Sequence, residues 1–221
     1  MKQVYIIHEN HPKLQLFFAG WAADETPFSH YRPQGMDFML CYDYRTLDFD
    51  ASLLQGYAEI HVVGWSMGVW AASHVVPTLG LNIGSSTAIN GTPFPIDERR
   101  GIPPVIFQGT LEGLTGASLH KFLRRMCADS AAFRDFLSRT PRRPLEEVRD
   151  ELDCIARQYA GQPQPTLKWT EAIVGSNDRI IPPANQLNAW NELGTAAMQT
   201  EDAHYQESLF KHYLQDRWTN N

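Results

Sequence analysis

The sequence predicts an α/β protein built on a mostly parallel sheet, with a helical segment inserted between late strands. Three observations carry this. Short apolar runs rich in β-formers alternate with stretches of helical spacing. One run, AEIHVVGW at 58–65, is rich in valine and isoleucine, as suits a strand buried on both faces. From about residue 119 to 159 there is no strand pattern, only helical stripes.

Val4–Ile7 and Leu14–Phe18 are apolar runs separated by Glu9, Asn10 and Pro12, which predicts a hairpin. MDFMLCYDY (36–44) is the next strand, and 58–65 follows it. Met67–Val76 continues as a helix and stops before Pro77. IGSSTAIN (83–90), Leu167–Val174 and Thr195–Gln199 complete the strands, and a last helix runs from about Gln206 to Trp218. In the inserted segment, Leu119, Phe122, Leu123 and Met126 share a helical face. Phe133, Phe136 and Leu137 form a second face, and Leu145, Val148, Leu152 and Ile155 a third. The reading is one domain over 1–221, with helices on both faces of the sheet and a helical cap insertion at about 112–162. Such an insertion sits above the carboxyl ends of the strands, where open α/β sheets bind ligands.

A chain of 221 residues with 43% hydrophobic and 20% charged residues can bury a core without disulfides. Its net charge of −6 gives no general reason to expect nucleic acid. Cys41, Cys127 and Cys154 are too few and too scattered for a disulfide framework or a zinc site, and they fit a reducing compartment. The first residues offer only four apolar positions in a row, too few for a signal-peptide core. No apolar stretch reaches the roughly 18 residues of a membrane span. The expectation is a soluble cytoplasmic monomer.

GWSMG at 64–68 places a serine between two glycines where a strand ends and a helix begins. G-x-S-x-G at such a turn presents a nucleophilic hydroxyl, and the glycines keep side chains at 64 and 68 from colliding across it. A lone copy can be a chance turn, so the partners decide. A serine hydroxyl needs a base, and in this arrangement the order along the chain is serine, acid, histidine. Of eight histidines, His8, His11, His30 and His61 precede Ser66. His74 lies in the helix behind the serine, His120 in the inserted segment and His212 in mid-helix. His204 remains, in a loop after the last strand. The acid belongs in an earlier loop at the same edge. Asp178, in EAIVGSNDRIIPP (171–183), is the candidate; Asp202 is the rival, too near His204 in sequence to meet it readily. The oxyanion donors are the backbone N–H of Met67, after the nucleophile, and that of Trp21 in FFAGWAAD (17–24), where Gly20 lets the chain turn.

With these residues in place, the chain resembles an α/β-hydrolase. More narrowly, it is similar to the short BioG-type pimeloyl-[acyl-carrier protein] methyl ester esterases. The resemblance spans nearly the whole chain and rests on LFFAGWAAD, CYDYR (41–45), HVVGWSMGVWAA, AINGTPFPID (88–97), SNDRIIPP and AHY. It implies hydrolysis of the methyl ester of pimeloyl-carrier protein to methanol and the free acid, in biotin synthesis, a reaction that needs no metal and no organic cofactor. Ser66 would be the nucleophile, His204 the general base and acid, and Asp178 the residue that orients it. The implied partner is an acyl carrier protein, which is acidic. Segment 119–159 carries nine cations and seven anions, a net +2 on a body of −8, and 121–143 alone is +5. Arg124, Arg125, Arg142 and Arg143 are the candidate carrier-binding residues, since a basic surface steers an acidic partner. A generic short-chain esterase, an acyl-carrier thioesterase and an inactive hydrolase-fold binding module are the alternatives.

Overall fold

The computed structural model of the chain describes residues 1–161, 165 and 167–218. Among these, seven strands form one sheet in the order β1-β3-β2-β4-β5-β6-β7. They are β1 (Lys2–Ile7), β2 (Lys13–Phe18), β3 (Asp37–Tyr42), β4 (Glu59–Trp65), β5 (Ile83–Ile89), β6 (Glu171–Gly175) and β7 (Ala197–Thr200). All neighbours pair in parallel except β1, which runs antiparallel to β3. Every residue of β3 is buried, and all but the first of β2 and β4, so both faces of the sheet's centre are covered.

The predicted hairpin between the first two strands does not form. The two runs are both strands, but β3 lies between them. Burial explains the sorting: Leu14, Leu16, Phe17 and Phe18 are wholly buried, whereas β1 is only half-buried and suits an edge. The connection passes under the start of β3, where Asp37 Oδ1 accepts from the N–H groups of Glu9 at 2.9 Å and His11 at 3.3 Å.

Helix α1 (Met67–Val75) follows β4, α6 (Pro183–Leu193) follows β6, and α7 (Glu207–Leu214) follows β7. Between β5 and β6 lie α2 (Pro104–Glu112), α3 (Gly116–Met126), α4 (Ser130–Leu137) and α5 (Leu145–Ala160). Helical structure thus begins at Pro104, earlier than the sequence pattern indicates. α2 has one buried residue, Phe107, and leaves Val105 and Ile106 exposed, so it shows no apolar stripe. The expected end of the insertion, about residue 162, lies outside the described residues. Among the described residues, no helix is long and apolar enough to cross a membrane.

Candidate active site

Ser66 stands in the turn from β4 to α1 with its backbone at φ 55°, ψ −124°. A positive φ with ψ near −124° is sparsely populated and costs a side-chain-bearing residue about 1–3 kcal/mol, and such strain persists only where neighbours impose it. Here the Ser66 N–H donates to the Ile89 carbonyl at 3.1 Å, and the Val69 N–H donates to the Ser66 carbonyl at 3.1 Å. The flanking glycines are steric necessities, although not by colliding with each other. A Cβ on Gly64 would lie 2.8 Å from the Trp169 ring, and one on Gly68 would run into the carbonyl of Phe18 at the end of β2.

His204 and Asp178 meet in the loops after β7 and β6. His204 Nδ1 lies 2.8 Å from Asp178 Oδ2, and both side chains are buried. An ionised carboxylate can only accept, so Nδ1 carries the proton and Nε2 is the basic nitrogen. Asp178 is itself fixed. Its Oδ1 accepts from the N–H groups of Ile180 at 2.8 Å and Ile181 at 3.0 Å, and Gln186 Nε2 donates to Oδ2 at 2.8 Å. The backbone of His204 is held too: Trp65 Nε1 donates to its carbonyl at 3.0 Å.

One residue joins three strand ends. Asn90, just past β5, is wholly buried with φ 44°. Its Oδ1 accepts from the Gly175 N–H at 2.7 Å, where β6 ends before the Asp178 loop. Its Nδ2 donates to the carbonyls of Ala203 at 2.9 Å and His204 at 3.1 Å.

Gly20, Trp21, Ser66, Met67 and His204 line a single cavity. Its far wall comes from the inserted helices, with Ile106 and Phe107 of α2, Phe122 and Met126 of α3 and Leu152 of α5. That wall is apolar and suits an aliphatic chain. Arg125 also lines the cavity and is itself exposed, so its cation stands where the cavity meets solvent. The cavity therefore offers a hydroxyl, an imidazole oriented by a carboxylate and an apolar channel wall. That set can perform acyl transfer through an acyl-serine.

The four arginines separate. Arg125 and Arg142 are exposed and Arg124 is half-buried, with Nη2 donating to Ser130 Oγ at 3.0 Å. Arg143 does not belong with them. Its side chain is 4% exposed, 2.6 Å from Glu151 and 3.1 Å from Asp43. It is a buried internal counter-ion with no face for a partner. Burial pushes the Glu151 carboxyl up, while Arg143 and the N–H groups of Tyr44 and Ala22 pull against that rise without cancelling it.

Asn90 and Glu151 escape the sequence reading. A lone asparagine after a strand reads as a turn, and one glutamate in a charged helix reads as solvated surface. AINGTPFPID is the only segment that hinted at Asn90, through the resemblance that it carries.

Comparison with known proteins bears on the fold and the family. The profile of the family described as "Pimeloyl-ACP methyl esterase BioG" matches residues 1–216. A Bacteroides fragilis protein named malonyl-[acyl-carrier protein] O-methyltransferase is 53% identical over 199 residues, covering 90% of this chain. The chain spans only 41% of that protein's length. The crystal structure of BioG from Haemophilus influenzae superposes with a TM-score of 0.87 at 38% identity, covering 98% of this chain and 100% of that one. A lipase-esterase related protein from Clostridium acetobutylicum has a TM-score of 0.60 at 12% identity over 92% of this chain and 91% of its own, a likeness of fold alone.

Proposed function

Because the chain belongs to the BioG family of pimeloyl-ACP methyl esterases, and so to the ester hydrolases, we propose that it cleaves the methyl ester of pimeloyl-[acyl-carrier protein] with Ser66, His204 and Asp178. The observation that carries the reading is Ser66 at φ 55° in a cavity shared with His204, whose Nδ1 lies 2.8 Å from Asp178. Ser66 Oγ attacks the ester carbonyl as His204 Nε2 takes its proton. The N–H groups of Trp21 and Met67 receive the developing oxyanion. Collapse returns the proton from His204 to the departing methoxide, and methanol leaves. Water then attacks the acyl-serine with His204 again as base, which frees the carboxylate and restores Ser66. The apolar wall from α2, α3 and α5 fits the methylene chain, and the exposed cations of the inserted helices fit an acidic carrier.

The test is the mass of methyl-pimeloyl carrier protein before and after incubation. Methyl esterase action removes the mass of one methylene, whereas thioesterase action removes the whole acyl group. Ser66→Ala should fold, lose turnover and lose labelling by a serine-directed fluorophosphonate. Labelling that survives the substitution would place the nucleophile elsewhere.

A further inference from the structure

Residues 21–24 form the turn that leaves β2, and each is bonded to α5 or to the segment just before it. Trp21 Nε1 donates to the Val148 carbonyl at 2.8 Å. The Ala22 N–H donates to Glu151 Oε2 at 3.3 Å. The Ala23 carbonyl accepts from Arg143 Nη1 at 3.4 Å, and Asp24 Oδ2 accepts from the Arg142 N–H at 2.6 Å. Glu151 sits at the centre, wholly buried. Its Oε1 accepts from the Tyr44 N–H at 2.9 Å, and Arg143 Nη1 donates to Oε2 at 2.6 Å.

A buried ion pair is a poor way to gain stability, because apolar residues of similar volume often do as well or better. The geometry of the loop supplies another reason. Ala22 has φ 65°, a left-handed conformation that alanine avoids. Something must hold it there, and the acceptor on its N–H is Glu151. The Ala22 N–H follows directly on Trp21, so fixing the peptide between them limits where the Trp21 N–H points.

We propose that Glu151 is a positioning residue for the oxyanion loop: from the inserted helix it anchors the Ala22 N–H, so that the Trp21 N–H stays aimed at the tetrahedral oxyanion. The inference rests on the esterase reading above. A donor held in place acts on the transition state and little on the bound substrate, so its loss belongs in kcat rather than KM. Glu151→Gln would be no test, because its one amide oxygen can stay on Ala22 and Arg143 while the NH2 turns to Tyr44; Glu151→Met keeps nearly the volume and removes every acceptor, that of the Ala22 N–H included.

On p-nitrophenyl butyrate, Glu151→Met should lower kcat by about ten- to a hundredfold, less than or near the loss on deleting a donor outright. KM should stay within about twofold. Affinity for a trifluoromethyl ketone, which forms the tetrahedral adduct with the serine, should fall by a factor similar to that in kcat. Ile155→Ala, in the same helix and equally buried, is the control for mere loosening of α5. At a matched drop in Tm it should leave kcat near wild type. The double variant Glu151→Met, Arg143→Met removes the anchor and both charges together, leaves no unpaired cation buried, and should show the same kcat loss. If either folded Glu151 variant keeps wild-type kcat and ketone affinity, the proposal falls. It also falls if Ile155→Ala loses as much kcat, or if neither Glu151 variant folds, since Glu151 then serves folding. Should Ser66→Ala retain the wild-type rate, the esterase reading itself fails instead.

Discussion

A buried asparagine in left-handed backbone is a precise requirement on one residue. At position 90, φ 44° is tolerated by asparagine better than by most side chains. The amide must also accept on one side and donate on the other, from Gly175 and to Ala203 and His204. Asn90→Asp keeps the shape and the acceptor but cannot donate. Two carbonyl oxygens would then face a carboxylate in the core. We expect a loss on the order of 2 kcal/mol or more, read as a fall in Tm, with a fall in esterase rate as the His204 loop shifts. An aspartate variant as stable and as active as wild type would show that the three strand ends are held by other means. The same contrast explains what single residues disclose in a sequence. Ser66, Asp178 and His204 were legible because a known chemistry fixes their order and their loops. Asn90 and Glu151 act through backbone groups distant in sequence, and no local pattern marks that.

At the scale of elements, the inserted helices are tied to the catalytic loops on two sides. α5 holds the turn after β2, as described. The loop after β7 is held by the α3–α4 side. The Tyr205 N–H donates to the Met126 carbonyl at 2.8 Å, and Arg139, just past α4, reaches Glu207 at 3.1 Å. Glu207 also accepts from Tyr205 at 2.8 Å and Tyr31 at 3.0 Å, and pairs with His30 at 2.9 Å. Burial alone would raise its carboxyl, but the hydrogen bonds from Tyr205, His30 and Tyr31 and the charge of Arg139 outweigh it and hold the group below the usual value. A carboxyl whose folded pKa is lowered contributes stability above its unfolded value of about 4.3, and loses it as pH falls through the folded one. Glu207→Gln should therefore lower Tm at pH 7, by a few degrees at most because the side chain is 38% exposed and solvent screens it. The gap from wild type should close as pH is taken below about 4. A gap that stays constant with pH would mean that the carboxylate charge contributes nothing. The elements themselves were largely readable, with strand and helix positions following apolar period. Pairing was not: adjacent apolar runs 4–7 and 14–18 suggest a hairpin, and only the deep burial of β2 reveals that β3 separates them.

For the molecule as a whole, charge is divided between a net acidic body and a basic stretch of inserted helices, but counting cations overstates the basic surface. Of the seven in 121–143, Arg143 is spent inside on Asp43 and Glu151, and Arg139 is engaged with Glu207. Lys121, Arg124, Arg125, Arg134 and Arg142 remain as a surface that an acidic carrier could meet. Their field acts on encounter rather than on the bond being cut, and salt screens it over about 8–10 Å. Reversing Arg124 and Arg142 together to glutamate should lower kcat/KM on methyl-pimeloyl carrier protein, by about tenfold at low salt. Hydrolysis of p-nitrophenyl butyrate should stay near wild type, since neither residue lines the cavity. Added salt should slow the wild type on the carrier substrate and affect the variant less. Arg143→Glu should behave differently in kind. It leaves Glu151 without its counter-ion, strips Asp43 of one of its two arginines and adds a third buried carboxylate, at a cost of about 3–5 kcal/mol. Tm should drop, and activity should fall on carrier-borne and small esters alike. If reversing Arg124 and Arg142 leaves carrier turnover at the wild-type rate in low salt, steering by this surface is refuted and the carrier docks elsewhere. If Arg143→Glu instead keeps its Tm and harms only the carrier substrate, Arg143 faces the partner after all, and its burial against Asp43 and Glu151 does not describe the working enzyme.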